Sequence, residues 1–64
     1  MNAMNEGIFR TVFLTNKEYV EAVESGARAE VQVNLLKQCE ILFKTMILDT
    51  GLAEEYKEYC EQHR

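Results

Sequence analysis

Residues 29–50 constrain the fold of this 64-residue chain most, because they lie in its longest run without glycine or proline. At 100° per residue, their apolar side chains fall within one arc of roughly 200°. A helix that lies on a single core needs about half of that arc. The sequence therefore predicts one long helix with neighbours on more than one side. The arc contains Val31, Val33, Leu35, Leu36, Cys39, Leu42, Phe43, Met46 and Ile47.

The opposite, polar face of this helix is interrupted by Ile41 and Leu48. They are seven residues apart, which places them in line two turns from each other. They are either a weakly exposed pair, as protein surfaces commonly contain, or a second contact surface. The sequence leaves both interpretations open.

A shorter helix is predicted before the long one. Thr15 and Glu18 have the spacing of a capping box, which indicates a helix over residues 16–25. Gly26 follows as the residue expected to end it in a left-handed conformation. We therefore expect a turn at Gly26, with the long helix over residues 28–50; one continuous helix through the glycine is the alternative.

Gly51 marks the second predicted turn, after which a third helix covers residues 52–63. Its apolar face consists of Leu52, Tyr56, Tyr59, Cys60 and His63. Because the connection is short, this helix should fold back antiparallel on the long one. That arrangement places Tyr59 near Phe43.

The N-terminal region is the least determined part of the chain. Residues 1–7 are polar and small, and we expect them to be disordered. Residues 8–14 are rich in β-branched and aromatic side chains and are apolar on both faces. They form either a strand that pairs with a second copy or a helical arm on the long helix. The predicted fold is therefore an all-α, three-helix domain over residues 8–64, with a short N-terminal arm.

Self-association follows from the size of the chain. A domain this small buries only about 60% of its unfolded surface and usually needs a disulfide, a metal or a partner subunit. Two cysteines and one histidine are few for stabilisation by disulfides or by a metal site. We therefore predict a homodimer. The candidate contact residues, for a second copy or another protein, are Phe9, Phe13, Leu35, Leu36, Ile41, Phe43 and Leu48.

The sequence contains only weak signals for catalysis or metal binding. The predicted fold brings Cys39, Cys60 and His63 toward the open end of the last two helices, but a structural zinc site has four ligands, and no fourth is evident. Asp49 begins an Asp-Thr-Gly tripeptide of the aspartic-protease type, here at a predicted helix end. One core of this size leaves little room for a concave site. We expect no catalytic, metal or cofactor-binding residues, no small-molecule substrate and no enzymatic activity.

Charge and hydropathy restrict the kinds of partner and the cellular location that we expect for this chain. The net charge of −4 disfavours nucleic acid as a partner, since general nucleic-acid binders are basic. No apolar run reaches membrane-spanning length, so no membrane is expected as a partner. The first residues lack a basic segment followed by an apolar block, so no secretion signal is predicted. We expect a cytoplasmic protein with reduced thiols.

The predicted order of elements over residues 8–46, a strand, a helix, a glycine turn and a longer helix, resembles that of ribbon-helix-helix dimers. That resemblance implies paired strands in the major groove of DNA. Arg10 and Thr11 suit such a strand, whereas Phe9 and Phe13 do not. In size and composition the chain also looks like the small accessory proteins of phages and mobile elements. We therefore expect a protein–protein interaction module, a regulator or inhibitor; the alternative is a ribbon-helix-helix-like transcriptional regulator.

Overall fold

Three α-helices form the fold in the computed structural model, which describes residues 3–63. They are α1 (Ala3–Glu24), α2 (Ala29–Leu42) and α3 (Ala53–Gln62), and α2 continues directly into a π-helical segment, Phe43–Leu48. The described residues contain no strand. The predicted all-α fold with three helices is confirmed.

α1 is much longer than the helix predicted over residues 16–25. It also takes in residues 8–14, so of the two alternatives for the arm the structure has the helix. Residues 3–7, expected to be disordered, are helical as well, and residues 1 and 2 lie outside the described residues. The reason is burial: Phe9 and Val12 are 0% and 1% exposed, and this packing outweighs the weak β propensity of the arm.

The capping box predicted at Thr15 is wrong. Thr15 lies in the middle of α1, and its Oγ1 donates a hydrogen bond to the carbonyl oxygen of Thr11, one turn back, at 2.9 Å. A hydroxyl used in this way does not cap a helix end. The spacing of Thr15 and Glu18 is therefore coincidental in this chain.

The turn predicted at Gly26 is confirmed. Gly26 has φ +72°. Its N–H donates to the carbonyl of Val23 at 3.2 Å, and the N–H of Ala27 donates to that of Ala22 at 2.9 Å. This pair of bonds is the Schellman motif, which satisfies the last carbonyls of α1.

Gly51 ends the second helical stretch in the same manner, with φ +73°. The N–H of Gly51 donates to Leu48 at 3.2 Å and that of Leu52 to Ile47 at 2.9 Å. Leu52 also packs against the core that includes Ile47, which is the apolar contact that often accompanies this motif. Both turns therefore reverse the chain with few residues.

The predicted helix over residues 28–50 is not uniform. In its last part the N–H of Asp49 donates to the carbonyl of Lys44, five residues back, at 2.8 Å. The side chains of the same two residues form an exposed ion pair at 3.2 Å, a contact that contributes little at such exposure. Because a π turn holds one more residue than an α turn, Ile47 is rotated into the core, where it is fully buried.

The core lies where α3 meets α1 and the π-helical segment. Its buried members are Phe9, Val12, Ile47, Tyr56 and Tyr59. α3 has ten residues and α1 has 22, so their lengths are about 15 Å and 33 Å. α3 therefore covers the groove between α1 and α2 only toward its Gly51 end.

Candidate interaction surface

An aromatic seam fixes α3 against the first half of α1. The ring centroids of Phe9 lie 5.6 Å from Tyr56 and 5.7 Å from Tyr59, and Phe13 lies 5.9 Å from Tyr59. Phe43 extends the seam to the π-helical segment, with its ring 6.0 Å from that of Tyr56. The rings are tilted or edge-on, which aromatic pairs prefer. The predicted pairing of Tyr59 with Phe43 is replaced by this register.

Polar contacts also join α1 to α3. Nδ2 of Asn16 donates a hydrogen bond to the hydroxyl of Tyr56 at 3.2 Å. Burial raises the pKa of Tyr56 well above its usual range, and the neighbouring Cys60 adds to the effect. Because the buried hydroxyl has a partner on α1, this contact helps to set the position of α3 along α1.

The predicted contact residues divide into an inner and an outer group. Phe9 is fully buried within its own chain and is not available to a partner, while Phe13 and Phe43 are half-buried in the seam. These rings do make apolar contacts, but their partner is α3 of the same chain. The outer group consists of half-buried Leu35 and of the exposed residues Leu36, Ile41 and Leu48.

Beyond the end of α3, apolar side chains continue on both walls of the groove. On α1, Val20 lies two turns past Phe13, which contacts α3, yet Val20 is 48% exposed. On α2, Leu36 lies two turns before Phe43, which also contacts α3, and is 39% exposed. Val23 and Val33 lie one turn nearer the Gly26 end and are similarly exposed. We call Val20, Val23, Val33 and Leu36 the open groove.

A depression of about 500 Å³ connects the open groove to the end of α3. It is lined by Phe13, Val20 and Tyr56, together with the polar residues Asn16 and Lys17 and the C-terminal turn of α3. A second depression of about 520 Å³ lies on the other side of Phe13, beside Arg10. Both are open to solvent, and the apolar one extends the open groove toward α3.

Ile41 and Leu48 lie away from this groove on the outer side of α2 and the π-helical segment, and both are exposed. The π-helical segment lies between them, so α-helical spacing does not describe their relation and the predicted alignment is lost. They are separate exposed apolar side chains.

The three residues considered for a metal site point to different neighbours. Sγ of Cys39 donates to the carbonyl of Thr15 at 3.5 Å, and burial raises the pKa of this thiol. His63 stacks on Tyr59, with ring centroids 3.9 Å apart, and its Nδ1 lies 2.8 Å from the carbonyl oxygen of the same residue. Within residues 3–63, no three His, Cys, Asp or Glu side chains are grouped as metal ligands. Cys39 and Cys60 are both free thiols.

No protein-family model matches the chain, and comparison with curated proteins and with solved structures gives no significant match. Among the described residues, no helix has the length and apolar character needed to cross a membrane.

Proposed function

We propose that this chain is a small, non-enzymatic protein–protein interaction module that regulates or inhibits another protein. The observation that supports it is the amount of apolar surface left uncovered by the fold. Exposed large apolar side chains occur on all the longer elements: Met4, Leu14, Val20, Val23, Val31, Val33, Leu36, Ile41 and Leu48.

The total exposed area supports the same proposal. The chain exposes 4,770 Å². A compact protein of 7.4 kDa is expected to expose about 4,200 Å², so roughly 600 Å² is in excess. Apolar surface beyond what the fold requires is typical of contact sites. The two free thiols are compatible with the reducing cytoplasm, which we propose as its location.

The alternative of a ribbon-helix-helix regulator requires a strand near the N-terminus. Residues 8–14 lie in α1, and Phe9, which such a strand would expose on one of its faces, is buried under α3. With the acidic balance of the chain added, nothing in the geometry favours DNA as the partner.

The test is capture from a lysate of the native host, with nuclease-treated and untreated halves and with bound proteins identified by mass. We expect a stoichiometric protein, different from the bait, that survives nuclease treatment. It should be captured by the wild type and lost with Ile41→Asp, because a charge in an apolar contact is costly.

Gln38→Asp is the matched control, since Gln38 is exposed on the same helix and the substitution adds the same charge without removing an apolar side chain. Its capture should equal that of the wild type. Recovery of nucleic acid, with all proteins lost on nuclease treatment, would overturn the proposal in favour of a DNA-binding role. Recovery of the bait alone would also contradict it.

A further inference from the structure

We propose that the open groove is covered by the open groove of a second copy of this chain, in a two-fold dimer where α1 lies antiparallel on α1 and α2 on α2. This inference deepens the proposed function and rests on it, because it assigns one of the contact surfaces to self-association. Three properties of the described residues support a second copy over a foreign protein.

The first property is shape. α3 occupies the Gly51 end of the groove and leaves the Gly26 end empty. A two-fold axis across the groove, perpendicular to the helices, brings the two empty ends together and sends the two copies of α3 to opposite ends. The four facing helices then pack as an antiparallel bundle with apolar side chains between them. Such an interface is isologous, as most homodimer interfaces are.

The second property is area. Val20, Val23, Val33 and Leu36 are 48%, 44%, 48% and 39% exposed, so the apolar surface to be covered spans both walls of the groove, as the apolar centre of a specific interface does. The two-fold axis places these four side chains of one copy, Val20, Val23, Val33 and Leu36, against the same four of the other copy.

The third property is the charge around the open groove. On α1, exposed Lys17 and Glu24 bracket Val20 and Val23. Antiparallel packing about the midpoint of the two valines places Lys17 opposite residue 26 of the second copy, two residues or about 3 Å of helix rise from Glu24.

The same relation holds on α2. Arg28, just before α2, and Glu40 are exposed and bracket Val33 and Leu36 around nearly the same midpoint, so Arg28 faces Glu40 of the second copy. Each base therefore meets an acid, although both copies carry a net charge of −4. Matching of this kind is what a surface needs in order to bind itself. A surface for a foreign protein has no need for its own charges to be complementary under a two-fold axis.

The first test is the mass of the purified full chain, measured by light scattering and sedimentation from about 1 μM to about 1 mM, which spans weak and moderate association. We expect a monomer–dimer equilibrium. Leu36→Asp should raise the dissociation constant at least about 100-fold, because each dimer would bury two charges. Ile41→Asp, outside the open groove, should leave the dissociation constant unchanged.

A wild type that is monomeric throughout this range would overturn the inference. A dimer that dissociates with Ile41→Asp but not with Leu36→Asp would also overturn it, since the contact would then lie elsewhere. Circular dichroism of each variant shows that the helices are retained.

The second test uses charges at exposed positions, where a substitution leaves the core intact. Lys17→Glu should weaken the dimer about tenfold, since it places two like-charged pairs at the rim. Adding Glu24→Lys to the same chain should restore the affinity. If the double variant stays as weak as the single one, the antiparallel pairing of α1 with α1 is overturned.

The two proposals fail separately. A monomeric chain that still captures a nuclease-resistant protein overturns the dimer and leaves the regulatory function standing. A dimer that responds to Leu36→Asp and to the charge exchange, but captures no other protein, supports the dimer and contradicts the regulatory function.

Discussion

At the scale of single residues, Gly7 and Gly26 carry opposite backbone requirements. Gly7 lies inside α1, and a Cβ added there would meet no atom within 4 Å. Gly26 has equally open space, but its φ of +72° lies in the region that residues with a Cβ rarely adopt. We expect Gly7→Ala to raise the free energy of unfolding by about 0.5 to 1 kcal/mol, and Gly26→Ala to lower it by about 1 to 2 kcal/mol.

Urea denaturation followed by circular dichroism measures both changes. The two variants control for each other, because they make the same chemical change at sites that differ only in backbone conformation. An unchanged free energy of unfolding in Gly7→Ala would show that residue 7 is not helical in solution.

Because of Tyr56, the stability of the folded chain should fall at alkaline pH. Burial first, and Cys60 second, raise the pKa of its hydroxyl in the folded chain above the ordinary value of 10.0. The stabilisation is therefore fully present below pH 10.0 and is lost as the pH rises from there toward the folded pKa, since the unfolded state releases its proton first. Thermal unfolding midpoints measured between pH 8 and pH 11 or so should fall steeply at the upper end.

Tyr56→Phe is the control for this prediction. It removes the titrating group and leaves the amide of Asn16 without that partner, at a cost of about 1 kcal/mol at neutral pH. Its midpoint should fall less steeply above pH 10.0 than that of the wild type. Equal slopes in the two proteins would assign the alkaline loss to other groups, such as the buried thiol of Cys39, whose pKa burial also raises.

At the scale of elements, the sequence predicted the turns better than the helix ends. Gly26 and Gly51 end helices because a left-handed residue is a local requirement that the residue type itself meets. The start of α1 depends on burial of Phe9 under α3, about fifty residues away in the chain, and no local pattern contains that contact. The spacing of Thr15 and Glu18 was a valid local pattern that tertiary packing outweighed.

The π-helical segment escaped prediction for a different reason. A rotation of 100° per residue describes an α-helix, and a change to five-residue hydrogen bonding within residues 29–50 cannot be detected with that one fixed period. At 100° per residue Ile47 lies near the edge of the apolar arc, whereas in the structure it is fully buried.

The candidate surface was predicted in part. Leu36 was identified because the apolar arc was too wide for one neighbour. Val20 and Val23 lie on the same stripe of α1 as Phe9 and Val12, and this spacing alone predicts that they face inward. They are exposed because α3 is shorter than α1, and this difference becomes visible only once the helices are assembled.

At the scale of the whole molecule, folding and association should be linked. If the folded chain dimerises and the unfolded chain does not, mass action raises the unfolding midpoint with protein concentration. We expect the midpoint of the wild type to rise across a hundredfold range of concentration or so. Differential scanning calorimetry at several concentrations measures it.

Two variants separate association from core packing in that measurement. Leu36→Asp should fold with a midpoint that does not change with concentration. Phe43→Asp should lose cooperative unfolding at every concentration, because Phe43 packs on Tyr56 inside one copy. A midpoint of the wild type that is independent of concentration would contradict the linkage.

The two glycine turns also bear on the speed with which the chain finds its structure. Each joins neighbouring helices through a few residues, so the α1–α2 pair and the pair formed by the π-helical segment and α3 are closed by short loops. Short loops lose little entropy on closure, and helical topologies with local contacts reach the native state within microseconds to milliseconds. Such a chain is exposed to proteases in its unfolded form only briefly, which suits a small protein with a thin core.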